Sequence, residues 1–356
     1  MMHAQSPIPV AVLGATGMVG QRFIELLSNH PWFELVALAA SDAHEGRPYA
    51  EATRWRLPGS EMPTATASLP VLPCRPTALP DVKIVFSALP GEVAGEIEAD
   101  FARADMAVFS NAKNYRMAPD VPLIVPEVNA DHAAAIIHQR KLRGWSGSIV
   151  TNANCSATPL VMALKPLQQA FGVRKVLVTT LQAISGAGYP GLPSYDILDN
   201  AIPFIGGEEE KVEQETRKML GTWEEGQGFI DAPIVVSAQC NRVATREGHL
   251  ECVSVELGTS ASEKDIIAAW EHYEAEPQQL RLPTAPEHAL IYRTEPDRPQ
   301  PLRDRDAGQG MTVTIGRLRS CPILSHKFVL LGHNTIRGAA GGSILNAELC
   351  VSKGLL

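Results

Sequence analysis

The sequence has no apolar run long enough to cross a membrane and no basic-then-apolar segment at its N-terminus. We therefore expect a protein that neither spans a membrane nor is exported. Its six cysteines, at positions 74, 155, 240, 252, 321 and 350, form neither a CxxC pair nor a zinc-binding spacing. Reduced thiols in a cytoplasm are expected, in place of disulfides or a metal site.

An excess of basic charge is also absent, since 31 Lys and Arg face 39 Asp and Glu, for a net charge of -8. This acidic balance argues against nucleic acid as a partner. No repeat or low-complexity tract is present in the 356 residues, of which 45% are hydrophobic and 20% charged. This length and these proportions predict a globular protein of two domains, each with an apolar core.

The first twenty-seven residues predict a strand, a glycine loop and a helix, in that order. The apolar run Ile8–Leu13 has strand length, and glycines at 14, 17 and 20 separate it from a helical pattern over residues 21–27. Glycines at this place let the backbone approach a pyrophosphate that sits on the helix N-terminus. The spacing is GxxGxxG and not the commoner GxGxxG, so ordinary turn glycines are the alternative. We predict a dinucleotide-binding fold.

Strand and helix patterns alternate in the first third of the chain, which predicts a parallel sheet covered by helices on both faces. Its later strands are predicted at 33–40, 82–89 and 106–110. From residue 173 the strands lengthen and few helices separate them, which predicts a mixed, largely antiparallel sheet in a second domain. These strands are predicted at 173–181, 232–239, 250–257, 311–318 and 327–331. Residues 57–80 and 276–310 are interpreted as solvated connections.

A lone cysteine, Cys155, lies between an apolar strand at 148–151 and a predicted helix. Proline is tolerated only in the first turn of a helix, so Pro159 places the helix start close to Cys155. The free N–H groups and the positive end of the helix dipole at such a place favour the thiolate. This predicts a nucleophile, and a small buried side chain is the alternative role.

A series of motifs runs in order through nearly the whole chain. They are residues 14–20, 154–156, 182–190, 205–211, 240–242, 248–249 and 334–342. Together they resemble the aspartate-β-semialdehyde dehydrogenase family in its archaeal and fungal form. The resemblance implies a Rossmann-like NADP-binding domain at 1–153 plus a C-terminal helix within 334–356. It also implies an α+β catalytic and dimerisation domain at 154–333.

The resemblance implies a catalytic role for three residues. Cys155 would be the nucleophile and His249 the acid/base that handles the thiol and the collapsing intermediate. Gln182, at the end of a predicted strand, would position the acyl group. A structural histidine is the alternative for His249.

Substrate binding is implied for six residues. Arg242 would hold the substrate carboxylate, because its planar fork binds a carboxylate bidentately; a surface salt bridge is the alternative. Glu208 would take the ammonium and share a helix face with Lys211, with Glu209 as a competitor and a solvated helix start as the alternative. The phosphate leaving group is assigned to Asn154, Lys113 and Arg116.

The second strand bears on the choice between NAD and NADP. An acidic residue at its end would bond the ribose hydroxyls and repel a 2′-phosphate. Ser41 and Arg47 could hold that phosphate, whereas Asp42 favours NAD. The family usually prefers NADP, and we expect NADP here. Further cofactor contacts are implied for Gly14, Thr16, Gly17, Met18, Val19, Ser87, Ser185, Gly186 and Asn334.

The implied reaction is the NADPH-dependent reductive dephosphorylation of L-aspartyl-4-phosphate through a cysteine thioester, in lysine, threonine and methionine biosynthesis. The alternatives are a malonyl-CoA reductase or another acyl reductase on the same fold, and a non-catalytic NADP-binding sensor. A homodimer or homotetramer is expected, since a sheet with few helices leaves an apolar face exposed. One departure concerns residues 244–247, where the family would have a more apolar segment with proline.

Overall fold

The computed structural model describes residues 6–356, which divide into two compact units. The first contains the chain up to Pro122, Ala133–Asn152 and Ser343–Leu356; the second contains Leu123–His132 and Ala153–Gly342. The strands, numbered in chain order, are β1 (Ile8–Leu13), β2 (Phe33–Ala40), β3 (Val71–Pro73), β4 (Ile84–Ser87), β5 (Ala107–Ser110), β6 (Leu123–Ile124), β7 (Ser148–Asn152), β8 (Val173–Gln182), β9 (Ala201–Ile202), β10 (Thr222–Glu224), β11 (Gly228–Ile230), β12 (Val235–Val243), β13 (His249–Leu257), β14 (Leu290–Arg293), β15 (Val313–Ser320) and β16 (His326–Gly332).

The α-helices are α1 (Met18–Leu27), α2 (Tyr49–Ala52), α3 (Thr64–Ala67), α4 (Gly91–Arg103), α5 (Pro126–Asn129), α6 (Ala135–Arg143), α7 (Ala157–Phe171), α8 (Ser194–Ile197), α9 (Glu208–Leu220), α10 (Glu263–Glu271), α11 (Glu276–Gln279), α12 (Pro301–Asp304) and α13 (Gly341–Ser352). A π-helix, Ile336–Ala340, directly precedes α13. Within residues 6–356 no helix is both long and apolar enough to cross a membrane.

The first unit is built on a parallel sheet whose strand order is β3-β2-β1-β4-β5-β7. Every residue of β4, β5 and β7 is buried, so both faces of these strands are covered. Continuous burial of this kind is typical of parallel sheets with helices on both faces. The predicted Rossmann-like architecture is confirmed, and β1 and β2 have the predicted bounds.

Two predictions for the first unit were wrong in detail. Helix α1 begins at Met18, so Gly20 belongs to its first turn; a Cβ on Gly20 would lie 2.2 Å from the Gly14 carbonyl oxygen. This close approach packs the helix against the glycine loop. The helix therefore begins at Met18, three residues before the predicted helical pattern at 21–27. Residues 57–80 are not only a surface connection, because they contain α3 and the sheet strand β3, with Val71 fully buried.

The second unit is built on a mixed sheet with the order β14-β15-β16-β13-β8-β12-β9. The pairs β12–β8 and β14–β15 are parallel, and the other four pairs are antiparallel. The predicted mixed, largely antiparallel sheet is therefore confirmed. Burial alternates along β13, which is the pattern of a sheet with one face on the core. That core includes α7, α9 and α10, and it is centred on residues such as Leu164, Val253 and Trp270.

The interpretation of residues 276–310 as a solvated connection was wrong. They contain α11, α12 and β14, and β14 extends the sheet by pairing with β15. Asp304 is 2% exposed and receives a two-point contact from Arg298. A segment rich in charge can be ordered when its charges pair with each other, and composition alone does not show that pairing.

Candidate active site

The start of α7 places Cys155 at the edge of the second unit's core. The helix begins at Ala157, two residues after Cys155, and Pro159 lies in its first turn as predicted. Ser156 is the N-cap and makes no side-chain cap bond, and Oδ1 of Asn154 instead accepts hydrogen bonds from the N–H groups of Ser156, at 2.9 Å, and Ala157, at 3.1 Å. These two groups are thus already bonded, which corrects the expectation that free N–H groups surround the sulfur. The helix dipole still favours a thiolate at this position.

His249, the first residue of β13, lies beside the sulfur although 94 residues separate the two in sequence. Its Nε2 is 3.3 Å from Sγ of Cys155. The backbone N–H of Ala183 donates to Nδ1 at 3.1 Å. Because a backbone N–H can only donate, Nδ1 must be the unprotonated nitrogen, and the proton of the neutral ring is on Nε2. The ring therefore presents a donor to the sulfur.

Burial keeps this imidazole neutral. His249 is fully buried, and desolvation is the main cause that lowers its pKa to about 3. The positive charge of Arg242 lowers the pKa further, and Glu208 opposes it. At neutral pH His249 is thus an uncharged donor.

Arg242, near the end of β12, is 6% exposed. Its Nη1 donates to the carbonyl oxygen of Ala183 at 2.7 Å. Ala183 is also the residue whose N–H orients the His249 ring. Gly186 leaves room for both, since a Cβ there would lie 2.7 Å from Arg242 Nη1 and 3.3 Å from His249 Nε2. Desolvation lowers the Arg242 pKa, and Cys155 and Glu208 oppose the shift. The buried guanidinium of Arg242 and the imidazole of His249 thus both lie against Gly186.

Glu208 begins α9 and joins several predicted site residues in one network. Its Oε1 accepts from Asn154 Nδ2 at 2.8 Å and from Gln182 Nε2 at 3.2 Å, and its Oε2 is 2.9 Å from Lys211 Nζ. Burial acts to raise the pKa of Glu208, but these three partners outweigh it and the pKa is lowered. The carboxylate is therefore ionised in a site where it is 6% exposed. Glu209 points elsewhere, because its Oε1 accepts from the N–H of Cys240 at 3.0 Å.

Asn334 connects two loops next to His249. Its Oδ1 accepts from the N–H of Gly248 at 2.9 Å, and its Nδ2 donates to Ser185 Oγ at 2.8 Å. Gly248 has φ of 95°, a conformation that favours glycine.

The segment 244–247, which departs from the family pattern, is held in place by Glu247. This residue is 5% exposed, and its Oε1 accepts from Thr335 Oγ1 at 3.3 Å. A buried polar contact replaces the expected apolar segment.

In the first unit, the glycine loop follows β1 directly. Gly14 has φ of 71°, and a Cβ there would lie 2.6 Å from the carbonyl oxygen of Ala88, so only glycine fits. Gly17 is the N-cap of α1 and offers no side-chain cap to the amides that follow, including those of Met18 and Val19. Thr16 contributes its carbonyl, which accepts from Thr53 Oγ1 at 3.3 Å. A helix start of this form suits a pyrophosphate.

The carboxyl end of β2 holds a cation that the sequence reasoning missed. Ser41 is exposed there, whereas Arg47 donates to the carbonyl oxygen of Glu51 at 2.6 Å. Arg75 lies beside Asp42, with Nη2 3.6 Å from Oδ1. It comes close because β3, which ends two residues earlier, is the parallel neighbour of β2. A basic residue after a short strand next to β2 was the signal that could have revealed it.

The remaining predicted residues of the first unit are Ser87, the last residue of β4, and Lys113 and Arg116, which follow β5. Ser87 is fully buried and its hydroxyl donates to Glu98 Oε1 at 2.6 Å, so this side chain is already bonded within the protein. Arg116 is 8% exposed and donates to the carbonyl oxygen of Asn111 at 2.8 Å. Lys113 is exposed. Burial raises the pKa of Glu98, and its bonds to Ser87 and to Ser110, together with the charge of Arg116, oppose the shift.

The second unit therefore brings together the thiol of Cys155, the neutral imidazole of His249, the buried cation of Arg242 and the buried carboxylate of Glu208. Such a set can bind a small substrate that carries both a carboxylate and an ammonium, and it can form a covalent bond to that substrate's carbonyl carbon. Two models of one protein family match this chain: residues 9–136 match "Semialdehyde dehydrogenase, NAD binding domain" and residues 164–337 match "Semialdehyde dehydrogenase, dimerisation domain". An aspartate-semialdehyde dehydrogenase of Archaeoglobus fulgidus is 51% identical over 98% of this chain and 99% of its own length.

This chain belongs to the aspartate-semialdehyde dehydrogenase family. The enzyme of that name from Schizosaccharomyces pombe is 49% identical over 98% of this chain and 99% of its own. A solved aspartate semialdehyde dehydrogenase with NADP, from Candida albicans, superposes with a TM-score of 0.91 at 43% identity, covering 99% of this chain and all of that one. The predicted resemblance to archaeal and fungal members of the family is confirmed.

Proposed function

We propose that this protein is an aspartate-semialdehyde dehydrogenase, which catalyses the NADPH-dependent reductive dephosphorylation of L-aspartyl-4-phosphate to L-aspartate 4-semialdehyde. This is an aspartate-pathway step towards lysine, threonine and methionine. The observation that carries the proposal is the 3.3 Å approach of His249 Nε2 to Cys155 Sγ. We infer the substrate from the family relationship, and the chemical roles of the residues from the geometry of the site.

The chemistry starts with the Cys155 thiolate, which attacks the carbonyl carbon of the acyl phosphate. The bond from that carbon to the phosphate oxygen breaks, phosphate leaves with the electron pair, and a thioester to Cys155 forms. Bound NADPH supplies the hydride that reduces this thioester. The carbon–sulfur bond then breaks, the sulfur takes back its electron pair, and the aldehyde is released.

His249 acts in this scheme as a donor and not as the base that removes the thiol proton. The sulfur is a thiolate when it attacks and again when the carbon–sulfur bond breaks, so these two steps need no proton transfer to the ring. The Nε2–H group stabilises the thiolate, and it is also the donor available to the carbonyl oxygen when charge develops there. The Ala183 amide holds the ring in this tautomer.

Substrate binding divides between two charges. Arg242 binds the α-carboxylate through its fork, and Glu208 binds the ammonium, because Glu208 is the ionised carboxylate next to Asn154 and Gln182, whereas Glu209 is bonded to the backbone of β12. Gln182 positions the acyl group. Lys211, Asn154, Lys113 and Arg116 serve the phosphate leaving group. The acyl-CoA and non-catalytic alternatives have no support among the relatives.

NADP is held by the first unit's glycine loop and by the end of β2. Residues Gly14, Thr16, Gly17, Met18 and Val19 hold the pyrophosphate, and Ser87, which pairs with Leu13 of β1, is a further cofactor contact. Arg75, with Ser41 and Arg47, binds the 2′-phosphate. The close contact of Gly14 with Ala88 fits this role, because a side chain there would move the loop away from the ligand. Ser185, Gly186 and Asn334 hold the nicotinamide.

The second unit carries the dimerisation domain, and we propose a homodimer or a pair of dimers. The open face of its sheet exposes apolar side chains on neighbouring strands, with Leu177 47% and Val235 63% exposed. None of the six cysteines, all within residues 6–356, forms a disulfide, which suits a reducing cytoplasm. Light scattering of the purified protein tests the dimer, and a fully active monomer would contradict it.

The function is tested by following NADPH formation with L-aspartate semialdehyde, phosphate and NADP, with malonyl-CoA and NADPH run in parallel. Cys155→Ser should abolish phosphate-dependent turnover and leave NADP binding intact, since a hydroxyl is not ionised at neutral pH. Activity of that variant within about tenfold of the parent would exclude a covalent mechanism. Turnover of malonyl-CoA alone would overturn the substrate assignment.

A further inference from the structure

The π-helix Ile336–Ala340 packs directly against the nucleophile. A Cβ on Gly338 would lie 2.7 Å from the Cβ of Cys155 and 2.8 Å from its Cα. Such distances do not occur between real side chains, so the backbone at Gly338 is in direct contact with Cys155. We call this part of the π-helix the wall behind Cys155. Two hydrogen bonds of the π type hold this turn, from Gly338 N to His333 O at 3.0 Å and from Ala340 N to Thr335 O at 3.2 Å. Short π-helical turns are often found at functional sites.

The neighbouring residue, Arg337, attaches this wall to a distant part of the second unit. Both of its Nη atoms donate to the two carboxylate oxygens of Glu127, one at 2.7 Å and the other in a shorter contact. Neither side chain is accessible, with 1% of Arg337 and none of Glu127 exposed. Glu127 belongs to α5, and its carbonyl oxygen also accepts from the Tyr273 hydroxyl. The pair therefore joins segments that are 210 residues apart.

We propose that Arg337 and Glu127 are positioning residues, which fix the π-helix so that Gly338 holds Cys155 beside His249. This inference rests on the proposed role of Cys155 as the nucleophile. A bidentate, fully buried pair suits the task, because a planar fork on a carboxylate fixes distance and orientation together. The approach of Sγ to Nε2 depends on the backbone position of Cys155, which the Gly338 contact limits from one side. Neither Arg337 nor Glu127 needs to touch substrate.

The experiment compares Arg337→Lys with a matched control. Lysine keeps the charge and loses the fork. The control is Arg298→Lys, since Arg298 makes a similar two-point contact with the buried Asp304 in the same unit but does not adjoin Gly338. Two readouts are taken on the full chain: the rate at which iodoacetamide modifies Cys155, measured by peptide mass spectrometry, and kcat and KM in the phosphate-dependent oxidation.

Arg337→Lys should lower both the rate of Cys155 modification and kcat by about 10- to 100-fold, because a displacement of about 1 Å of a catalytic group can lower a rate by about 100-fold. KM for the semialdehyde should stay within about threefold, because Arg242 and Glu208 lie on other elements. Arg298→Lys should leave both rates unchanged, whatever it does to the melting temperature. Parental rates in Arg337→Lys, or equal losses in the two variants, would overturn the proposal.

Gly338→Ala provides the second test and is independent of whether Arg337→Lys folds. It keeps the ion pair and adds one methyl group against Cys155. We expect the same loss of the modification rate and of kcat, with KM retained. A parental modification rate in Gly338→Ala would overturn the proposal. The modification of Cys155 needs neither substrate nor cofactor, so this result stays distinct from a failure of the proposed function, which turnover by Cys155→Ser or turnover of malonyl-CoA alone would show.

Discussion

Replacement of Glu208 by glutamine separates the two candidates for the substrate ammonium. Glu208 is 6% exposed, is ionised and is bonded to Asn154 and Gln182. Glu209, its neighbour in the same helical turn, makes its bond to the backbone of Cys240. Glu208→Gln removes one charge without a change of shape, and Glu209→Gln is the control that removes the same charge one residue along.

The magnitude follows from the kind of bond that is lost. A hydrogen bond between charged groups contributes about 1.5–3 kcal/mol, and its loss in a buried place falls at the upper end of that range. Since each 1.36 kcal/mol is a factor of ten, Glu208→Gln should lower kcat/KM for L-aspartate semialdehyde by about 10- to 150-fold. The Lys211 ion pair lies at the partly exposed rim of the site and should add little to this loss.

The assay measures kcat/KM in the oxidation direction for two substrates, L-aspartate semialdehyde and succinate semialdehyde, which has no amino group. In the parent the amino group should favour the first substrate. Glu208→Gln should abolish most of that preference, because the damage to Asn154 and Gln182 affects both substrates equally while the ammonium contact affects one. Glu209→Gln should keep the preference. If Glu209→Gln loses the preference and Glu208→Gln keeps it, the assignment is wrong.

Three further predictions concern Arg242, Arg75 and His249. Arg242→Lys keeps the charge and loses the fork, so the fall in kcat/KM should correspond to about 2–4 kcal/mol of lost transition-state binding energy, in a protein that still folds. Unchanged kinetics would make Arg242 a purely structural residue. Arg75→Gln should lower the preference for NADP over NAD, measured as the ratio of the two kcat/KM values, while Arg47→Gln should change it less because Arg47 is bonded to the Glu51 carbonyl; equal effects would remove the distinction. His249 has its pKa lowered from 6.5 to about 3 on folding, so the unfolded state binds the extra proton first and stability is lost as the pH falls from about 6.5 towards 3. His249→Gln should reduce the stability lost between pH 7 and pH 4 by at most about 3 kcal/mol, read as a smaller fall of the melting midpoint, and an unchanged acid dependence would contradict the neutral, buried ring.

Several features of this protein could be predicted from the sequence because their signals are local. The strands Ile8–Leu13 and Phe33–Ala40 are apolar runs bounded by polar residues or turns, and their ends coincide with the observed ones. The helix start beside Cys155 agrees with the preference of proline for the first turn, although α7 also accommodates Pro166 in its interior. The family motifs then gave the fold and the chemistry.

Other features were decided only when distant segments met. Sequence placed Glu208 and Glu209 side by side, and the direction of each side chain from α9 gave them different partners. Arg75 reached Asp42 because β3 lies next to β2, and that adjacency is set by the order of the strands in the sheet.

The tautomer of His249 depends on the amide of Ala183, 66 residues away. The wall behind Cys155 depends on an ion pair between Glu127 and Arg337. Local sequence fixes backbone preferences and periodicity, which act over a few residues. Hydrogen-bond partners and buried charges depend on which segments share a neighbourhood, and that is a property of the folded chain alone.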